Sequence, residues 1–298
     1  MSKHASFLGF QGEISGYVAG MQPEIVQLID MALREDIGSG DVTSEYFVPS
    51  ERQARAYMLV KETGVVAGLE VAELVFKTVD PELEVRMMSE DGARVAAGTR
   101  VMEIRGSARS LLTAERTALN FAQRLSGVAS KTQLFVEACE GTDAVVLDTR
   151  KTTPGWRLLE KMAVSKGGGG NHRMGLYDRA MVKDNHLVAE SGGLQAGIDR
   201  LKKEKPEVEV ELEADTLDQV DAFLKLQGVD YILLDNMSNE SLRQAVAMRG
   251  ADGPKLEASG GVNLSTIGEI AKTGVDFISV GAVTHSAVAL DMSLEFVD

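Results

Sequence analysis

Apolar and polar positions along this chain follow two different periods, and the change between them divides it. Residues 23–35 place Ile25, Val26, Leu28, Ile29 and Leu33 at helical spacing, and Asp36-Ile-Gly-Ser-Gly-Asp41 ends the pattern. Residues 52–68 alternate loosely, which predicts strands turning at Glu62-Thr-Gly64, and residues 71–79 predict a helix. Residues 84–106 predict a hairpin with turns at Asp91-Gly92 and Ala97-Gly98. A biotin or lipoate carrier would need a lysine at an exposed turn there, but Met87-Met88 is followed by Ser89. Residues 110–127 predict a strong helix, with Leu112, Leu119, Ala122 and Leu125 on one face. Arg116, Asn120 and Gln123 form a second, polar face, which by itself reads as solvated.

After this the texture changes. Short apolar runs recur at 144–147, 180–182, 208–212, 231–234, 255–258 and 277–280, with helical patterns such as 217–226 and 241–248 between several of them. Such alternation predicts a parallel sheet. Polar residues follow the runs: Asp148, Lys183, Asp235, Ser259 and Gly281. In a closed parallel barrel those ends form the active-site rim. The expected fold is therefore α/β: a (β/α) barrel, incomplete or irregular, over 129–286, after an α/β sandwich over 1–128 onto which 287–298 pack back.

Composition narrows the function. With 298 residues, 44% hydrophobic and 26% charged, the chain can bury a sizeable core. A net charge of −14 argues against nucleic acid and anionic membranes as partners. No apolar run approaches the roughly 18 residues of a membrane helix. Residues 1–20 lack the core of a signal peptide and read as a leader, an early helix or an oligomer contact. A single cysteine, Cys139, sits in an apolar helical pattern with Leu134, Phe135 and Ala138, and fits a reducing, cytoplasmic compartment.

Against that acidic background, residues 150–183 carry eight cations: Arg150, Lys151, Arg157, Lys161, Lys166, Arg173, Arg179 and Lys183. Lys161 and Lys166 fit a solvated helix face, and Arg179 fits ordinary surface charge. Arg150, Lys151 and Lys183 instead follow predicted strands, which points to anion binding. Gly167–Gly170 precede Asn171-His172-Arg173, where glycine would let backbone approach a ligand. His172 and His186 lack metal-ligand spacing, which argues against a histidine zinc site. Glu211 and Asp235 end later strands, although Glu209 and Glu213 share the parity of Glu211 and the inward acid stays open. Ser259-Gly-Gly261 and Val280-Gly-Ala282 fall in the last loops, the usual phosphate site of a barrel.

Several motifs together resemble the quinolinate phosphoribosyltransferase family: Asp148-Thr-Arg-Lys-Thr-Thr-Pro-Gly155, Gly168-Gly-Gly-Asn-His-Arg173, Gly175-Leu176, Lys183-Asp-Asn-His186, Leu234-Asp-Asn236 and Ser259-Gly-Gly261. Arg34-Glu-Asp-Ile-Gly-Ser-Gly-Asp-Val-Thr43 and Leu112-Thr-Ala-Glu-Arg-Thr-Ala-Leu-Asn120 are similar to its N-terminal domain. The resemblance implies transfer of a phosphoribosyl group from phosphoribosyl pyrophosphate to quinolinate, giving nicotinate mononucleotide, pyrophosphate and carbon dioxide for NAD synthesis. It implies that Arg150, His172 and Arg173 bind quinolinate, and that Lys151 and Lys183 contact quinolinate or pyrophosphate. Glu211 and Asp235 would hold the ribose hydroxyls and Mg²⁺, and Ser259, Gly260, Gly261 and Gly281 would cradle the 5′-phosphate. It also makes Arg116 a residue donated to a neighbouring subunit of a homodimer, which displaces the solvated reading of its face. Ser165-Lys166 and Trp156 depart from the family pattern without touching these positions. Three rivals are weighed: a barrel Schiff-base aldolase or phosphosugar isomerase using Lys183, a family paralog with another substrate, and a non-catalytic metabolite-binding protein, against which the intact acids and cations argue.

Overall fold

The computed structural model describes residues 22–183 and 193–297. The leader, and Asp184, Asn185 and His186 of the lysine motif, lie outside the described residues. The described residues form two compact units, 22–127 with 289–297, and 128–288.

In the first unit, β1 (Gln53–Val60) pairs antiparallel with β5 (Arg100–Ser107) and with the C-terminal β12 (Met292–Val297), and β3 (Glu84–Met87) completes the order β12-β1-β5-β3. Ala56, Met58 and Val60 of β1 and Met102 and Ile104 of β5 are fully buried. Each large apolar side chain among them contributes about 1.5–3 kcal/mol relative to exposure. The hairpin expected over 84–106 is present as β3 paired antiparallel with β5, and only its connection differs. β4 (Arg94–Val95) pairs with β2 (Gly64–Val65), not with its sequence neighbours. Asp91, expected only as a turn residue, accepts the backbone N–H groups of Gly68 and Leu69 at 2.8 and 2.9 Å. It thereby caps α3 (Leu69–Val79) at the helix end that attracts negative charge. α1 (Pro23–Ile37) buries Ile25, Ile29 and Leu33, an i, i+4, i+8 stripe.

α2 (Val42–Phe47) is fixed by the Gly-Asp-Val-Thr stretch. Asp41 Oδ1 accepts Thr43 N and Ser44 N at 3.1 and 3.0 Å, and its Oδ2 accepts the Thr113 hydroxyl at 3.0 Å. Thr113 lies on α4 (Ala108–Glu137), a single 30-residue helix that runs past the predicted end at Gly127.

The second unit is a six-stranded, wholly parallel sheet. It comprises β6 (Val145–Leu147), β7 (Arg179–Val182), β8 (Glu209–Ala214), β9 (Tyr231–Asp235), β10 (Lys255–Ser259) and β11 (Phe277–Ser279). The order is β6-β11-β10-β9-β8-β7, so the first strand pairs with the last and the sheet wraps as a barrel. Among the described residues no ladder joins β6 to β7, so the barrel is open there. The intervening helices are α5 (Arg157–Lys166), α6 (Leu194–Glu204), α7 (Leu217–Leu224), α8 (Asn239–Arg249), α9 (Ile267–Ala271) and α10 (Ala282–His285). One parity of each strand is apolar and buried: Val210, Leu212 and Ala214, then Ile232 and Leu234, then Leu256 and Ala258. The other parity carries Arg179, Glu209, Glu211, Glu257 and Ser279 among apolar residues such as Leu147 and Leu233, so the barrel interior holds a polar cluster. Cys139 is buried, as its apolar neighbours imply.

Replacing Asp41 with Ala removes three hydrogen bonds at the start of α2. The expected loss is about 1–2 kcal/mol, read as a lower urea midpoint with an unchanged m-value.

Candidate active site

The strand order sets the order of the rim. Arg150 and Lys151 follow β6, and Lys183 follows β7, so cations stand at both ends of the arc. Between them come Gly281 after β11, Ser259-Gly-Gly261 at β10, Asp235 at the end of β9 and Glu213 near the end of β8.

Residues 170–173 run through the gap between β6 and β7. Gly170 bridges to Leu147 and donates its N–H to Val146 O at 2.8 Å. His172 N donates to Asp148 Oδ1 at 2.9 Å, and the Arg173 guanidinium donates to Arg179 O at 3.2 Å. The segment expected to bind substrate thus stands where a closing strand would. The preceding glycines serve packing more than ligand approach: a Cβ on Gly167 would collide with the Ala129 carbonyl and the Thr132 side chain.

A buried ion pair holds this segment. Lys161, expected on a solvated face, is 1% exposed and pairs with Asp148, which is 0% exposed. Its ammonium also donates to His172 O at 2.7 Å, and Asn171 Nδ2 donates to Asp148 Oδ2 at 2.7 Å. Burial pushes the Asp148 carboxyl up and the Lys161 ammonium down, and their mutual attraction opposes both shifts. Lys166 is exposed, as expected. Arg179, expected as surface charge, is also corrected: its side chain is 13% exposed, donates to Glu209 at 2.8 Å and lies 4.0 Å above the Tyr231 ring.

Below the rim, His172 has both ring nitrogens engaged. Nδ1 lies 2.7 Å from Arg173 N, while Nε2 lies 3.2 Å from Glu211 Oε2 and 3.3 Å from Glu257 Oε1. Burial alone would lower its pKa, but hydrogen bonds and charge from Glu211 and Glu257 raise it to about 9. Ligand atoms of these three residues lie within 4.8 Å of one another, a spacing a metal ion could use. The donor set argues otherwise. Nε2 already faces both carboxylates, and Arg179 Nη1 stands 3.7 Å from Glu211. The imidazole already serves both carboxylates, and the Arg179 and Arg173 guanidiniums act on Glu211, so a dication would add positive charge to a buried site.

The same geometry revises the acid expected at the substrate. Glu211 is 0% exposed and faces His172 and Arg179. Glu213, two residues further along the same face, is partly exposed and pairs with Lys183. Glu213 and Asp235 are thus acids open at the rim. Arg150 lies near enough to Arg173 for their charges to interact: burial first, then Arg150, lower the Arg173 pKa. Crowded cations of this kind are relieved by a bound anion.

On the opposite arc, Gly260 and Gly261 both have positive φ, +95° and +60°. A Cβ on Gly281 would lie 3.2 Å from Lys151 Cδ and 3.1 Å from His285 Nε2, so these three residues cluster. The Thr284 hydroxyl ties them by donating to Lys151 O at 2.9 Å. Sequence reasoning missed His285, whose signal was its place four residues after Gly281 at the last strand end. It also missed Glu257, an acid inside an apolar strand pattern.

Fold and rim together define an open parallel α/β barrel whose mouth carries Arg150, Lys151 and Lys183 beside glycine turns and acids. The family model for the C-terminal domain of quinolinate phosphoribosyl transferase matches residues 128–295, and that for its N-terminal domain matches residues 41–126. The chain belongs to the quinolinate phosphoribosyltransferase family. It is 43% identical over 272 residues to a carboxylating nicotinate-nucleotide pyrophosphorylase of Mycobacterium leprae, covering 90% of this chain and 95% of that protein. It is 41% identical over 308 residues to a chloroplastic protein of the same name from Arabidopsis thaliana, covering 95% and 87%. Its fold matches the nicotinate-nucleotide pyrophosphorylase structure from Francisella tularensis with a TM-score of 0.86 and 37% identity, over 92% of this chain and 96% of that one.

The two rim glycines should differ in tolerance. At Gly260 a Cβ would collide with the Asn236 side chain and approach its backbone nitrogen at 2.9 Å, whereas at Gly261 it meets nothing within 4 Å. Gly260→Ala should therefore cost about 3 kcal/mol or more, and Gly261→Ala only about 1–2 kcal/mol of left-handed strain. Chemical denaturation measures both, and equal losses would contradict this geometry.

Proposed function

We propose that this chain is a quinolinate phosphoribosyltransferase, converting quinolinate and phosphoribosyl pyrophosphate to nicotinate mononucleotide, pyrophosphate and carbon dioxide. The observation that carries the reading is the rim of a family barrel, with cations at its two open ends and glycine turns and acids between. Both substrates are polyanions that repel each other in water. Cations between them offset the repulsion and hold the pyridine nitrogen near the ribose C1.

Arg150 and Arg173 receive the quinolinate carboxylates, to which a guanidinium fork is matched. Lys151 and Lys183 face the pyrophosphate or the dicarboxylate. Ser259, Gly260, Gly261 and Gly281 cradle the 5′-phosphate beside Lys151. Glu213 takes the role first given to Glu211, and with Asp235 accepts the ribose hydroxyls. Mg²⁺ suits these two rim carboxylates, and would neutralise departing pyrophosphate charge when bound. The C1–oxygen bond to pyrophosphate breaks as the pyridine nitrogen takes up the developing cation at C1. The ring, now positively charged, accepts the electron pair left when the 2-carboxylate departs as carbon dioxide, and C2 then takes a proton. Bond formation needs no general base.

The pairing of Lys183 with Glu213 weighs against the Schiff-base rival, which needs a neutral amine. Asn171-His172-Arg173, held by Asp148, weighs against a paralog with another substrate. Among the described residues no helix is long and apolar enough to cross a membrane, and the single buried Cys139 supports a reducing, cytoplasmic setting.

A homodimer completes the site. Arg116 is exposed on α4, and the adjoining α2 leaves Val42, Tyr46 and Phe47 66%, 81% and 83% exposed. Apolar side chains so placed suit burial against a second copy, whose rim would receive Arg116.

Incubation with quinolinate, phosphoribosyl pyrophosphate and Mg²⁺ should release carbon dioxide, and nicotinate in place of quinolinate should give no turnover. Reductive trapping of substrate on Lys183 by borohydride would overturn the reading. Arg116→Ala and Lys151→Ala chains should each be inactive alone. Mixed and re-associated in equal amounts, they should recover about a quarter of normal activity, because half the dimers carry one intact site. No recovery would contradict donation of Arg116 across subunits.

A further inference from the structure

Among the described residues, Asn236 is the one residue other than glycine with a positive φ, +52°. Glycine would hold that conformation without strain, so the turn after β9 does not itself need an amide side chain. A larger residue held there is kept in place by its surroundings, and such positions cluster at functional sites. The place of the amide is specific. Its Nδ2 donates to Asp235 Oδ2 at 2.7 Å. Among the described residues the Asp235 carboxylate has no other hydrogen-bond or ion-pair partner. The other side of the amide lies against the bare Cα of Gly260, where a Cβ would overlap it. The Asn236 backbone N–H donates to Ser259 O at 2.9 Å, and Ser259 is the ladder partner of Asp235. The amide therefore stands between the last acid of β9 and the glycine turn after β10, and touches both.

We propose that Asn236 is a positioning residue for the ribose 5-phosphate half of the substrate: its amide fixes the plane of the Asp235 carboxylate and sets it against the Gly260 turn. The proposal rests on the reading that Asp235 accepts ribose hydroxyls and that Ser259, Gly260 and Gly261 take the 5′-phosphate. A carboxylate with a donor on Oδ2 no longer swings freely, and its Oδ1 keeps both lone pairs for a hydroxyl. Without the amide the ligand has to order the carboxylate itself, and that cost weakens binding. The contact with Gly260 fixes the second coordinate. With no side chain there, the amide rests directly on the backbone that cradles the phosphate, so the acid and the turn keep one spacing. Quinolinate, received by Arg150 and Arg173, does not depend on this contact.

Calorimetric binding of the product nicotinate mononucleotide, without added metal, tests this with Asn236→Gly and Asn236→Asp. The first keeps the positive φ and removes the amide. The second keeps the shape, tolerates the same φ and loses the donor. Each should bind the product about tenfold more weakly, the order expected when a hydrogen bond to a carboxylate is lost. Quinolinate affinity of Asn236→Gly should stay within about twofold of the wild type. A product analogue without the ribose hydroxyls should bind the wild type and Asn236→Gly alike, because it gives Asp235 nothing to accept. Wild-type affinity for the product in either variant would show that the turn alone suffices and overturn the proposal. So would a loss in Asn236→Gly that the analogue or quinolinate shares. Urea unfolding checks the second contact: Gly260→Ala should lower the midpoint less in the Asn236→Gly background than in the wild type, and equal shifts would contradict the proposal. If the wild type bound neither quinolinate nor the product, the functional reading would fail instead, while the urea midpoints would still report the contact with Gly260.

Discussion

One buried ion pair, Lys161 with Asp148, makes the mouth of this barrel possible. The sheet does not close between β6 and β7, and an open parallel edge exposes unpaired backbone groups. Residues 170–173 fill the opening, but they form no regular ladder and need another anchor. Asp148 takes the His172 N–H, the Asn171 amide and the Lys161 ammonium, and Lys161 takes the His172 carbonyl. Removing one partner of such a pair strands a charge without water, which typically costs about 3–5 kcal/mol. The geometry of the gap and the position of Arg173 therefore depend on the same contact.

That arrangement explains how a chain of net charge −14 handles two polyanions. Arg150, Lys151 and Lys183 stand at the mouth, while charges in the interior below it lie close to opposite ones. Arg179 answers Glu209, and His172 answers Glu211 and Glu257. The rim cations are left without equally close acids, apart from Glu213 on Lys183. On the proposed reading, substrate binding relieves the repulsion between Arg150 and Arg173.

Much of this was legible in the amino-acid pattern. All six apolar runs became parallel strands, because a strand buried on its outer face must be apolar at every second position. The residues that follow those runs did become the rim. What the pattern hid was depth. Glu209, Glu211 and Glu213 share one parity, and only the stagger of neighbouring strands decides that Glu211 lies at the floor and Glu213 at the rim. Lys161 sits at a spacing that usually means a solvated face; its burial is set by Asp148, thirteen positions earlier in the chain. The pairing of β4 with β2 was equally invisible, since each is two residues long and the contact is not local.

A double-mutant cycle on the buried pair is the most direct test: Asp148→Asn, Lys161→Met and both together, each followed by urea unfolding and quinolinate affinity. Each single change should cost about 3–5 kcal/mol, and the double change should regain most of that stability. Quinolinate affinity should stay reduced in the double variant, because the lysine that held the His172 carbonyl is gone. Additive losses of stability, or unimpaired quinolinate binding in the double variant, would contradict the claim that this pair holds the binding segment in the barrel gap.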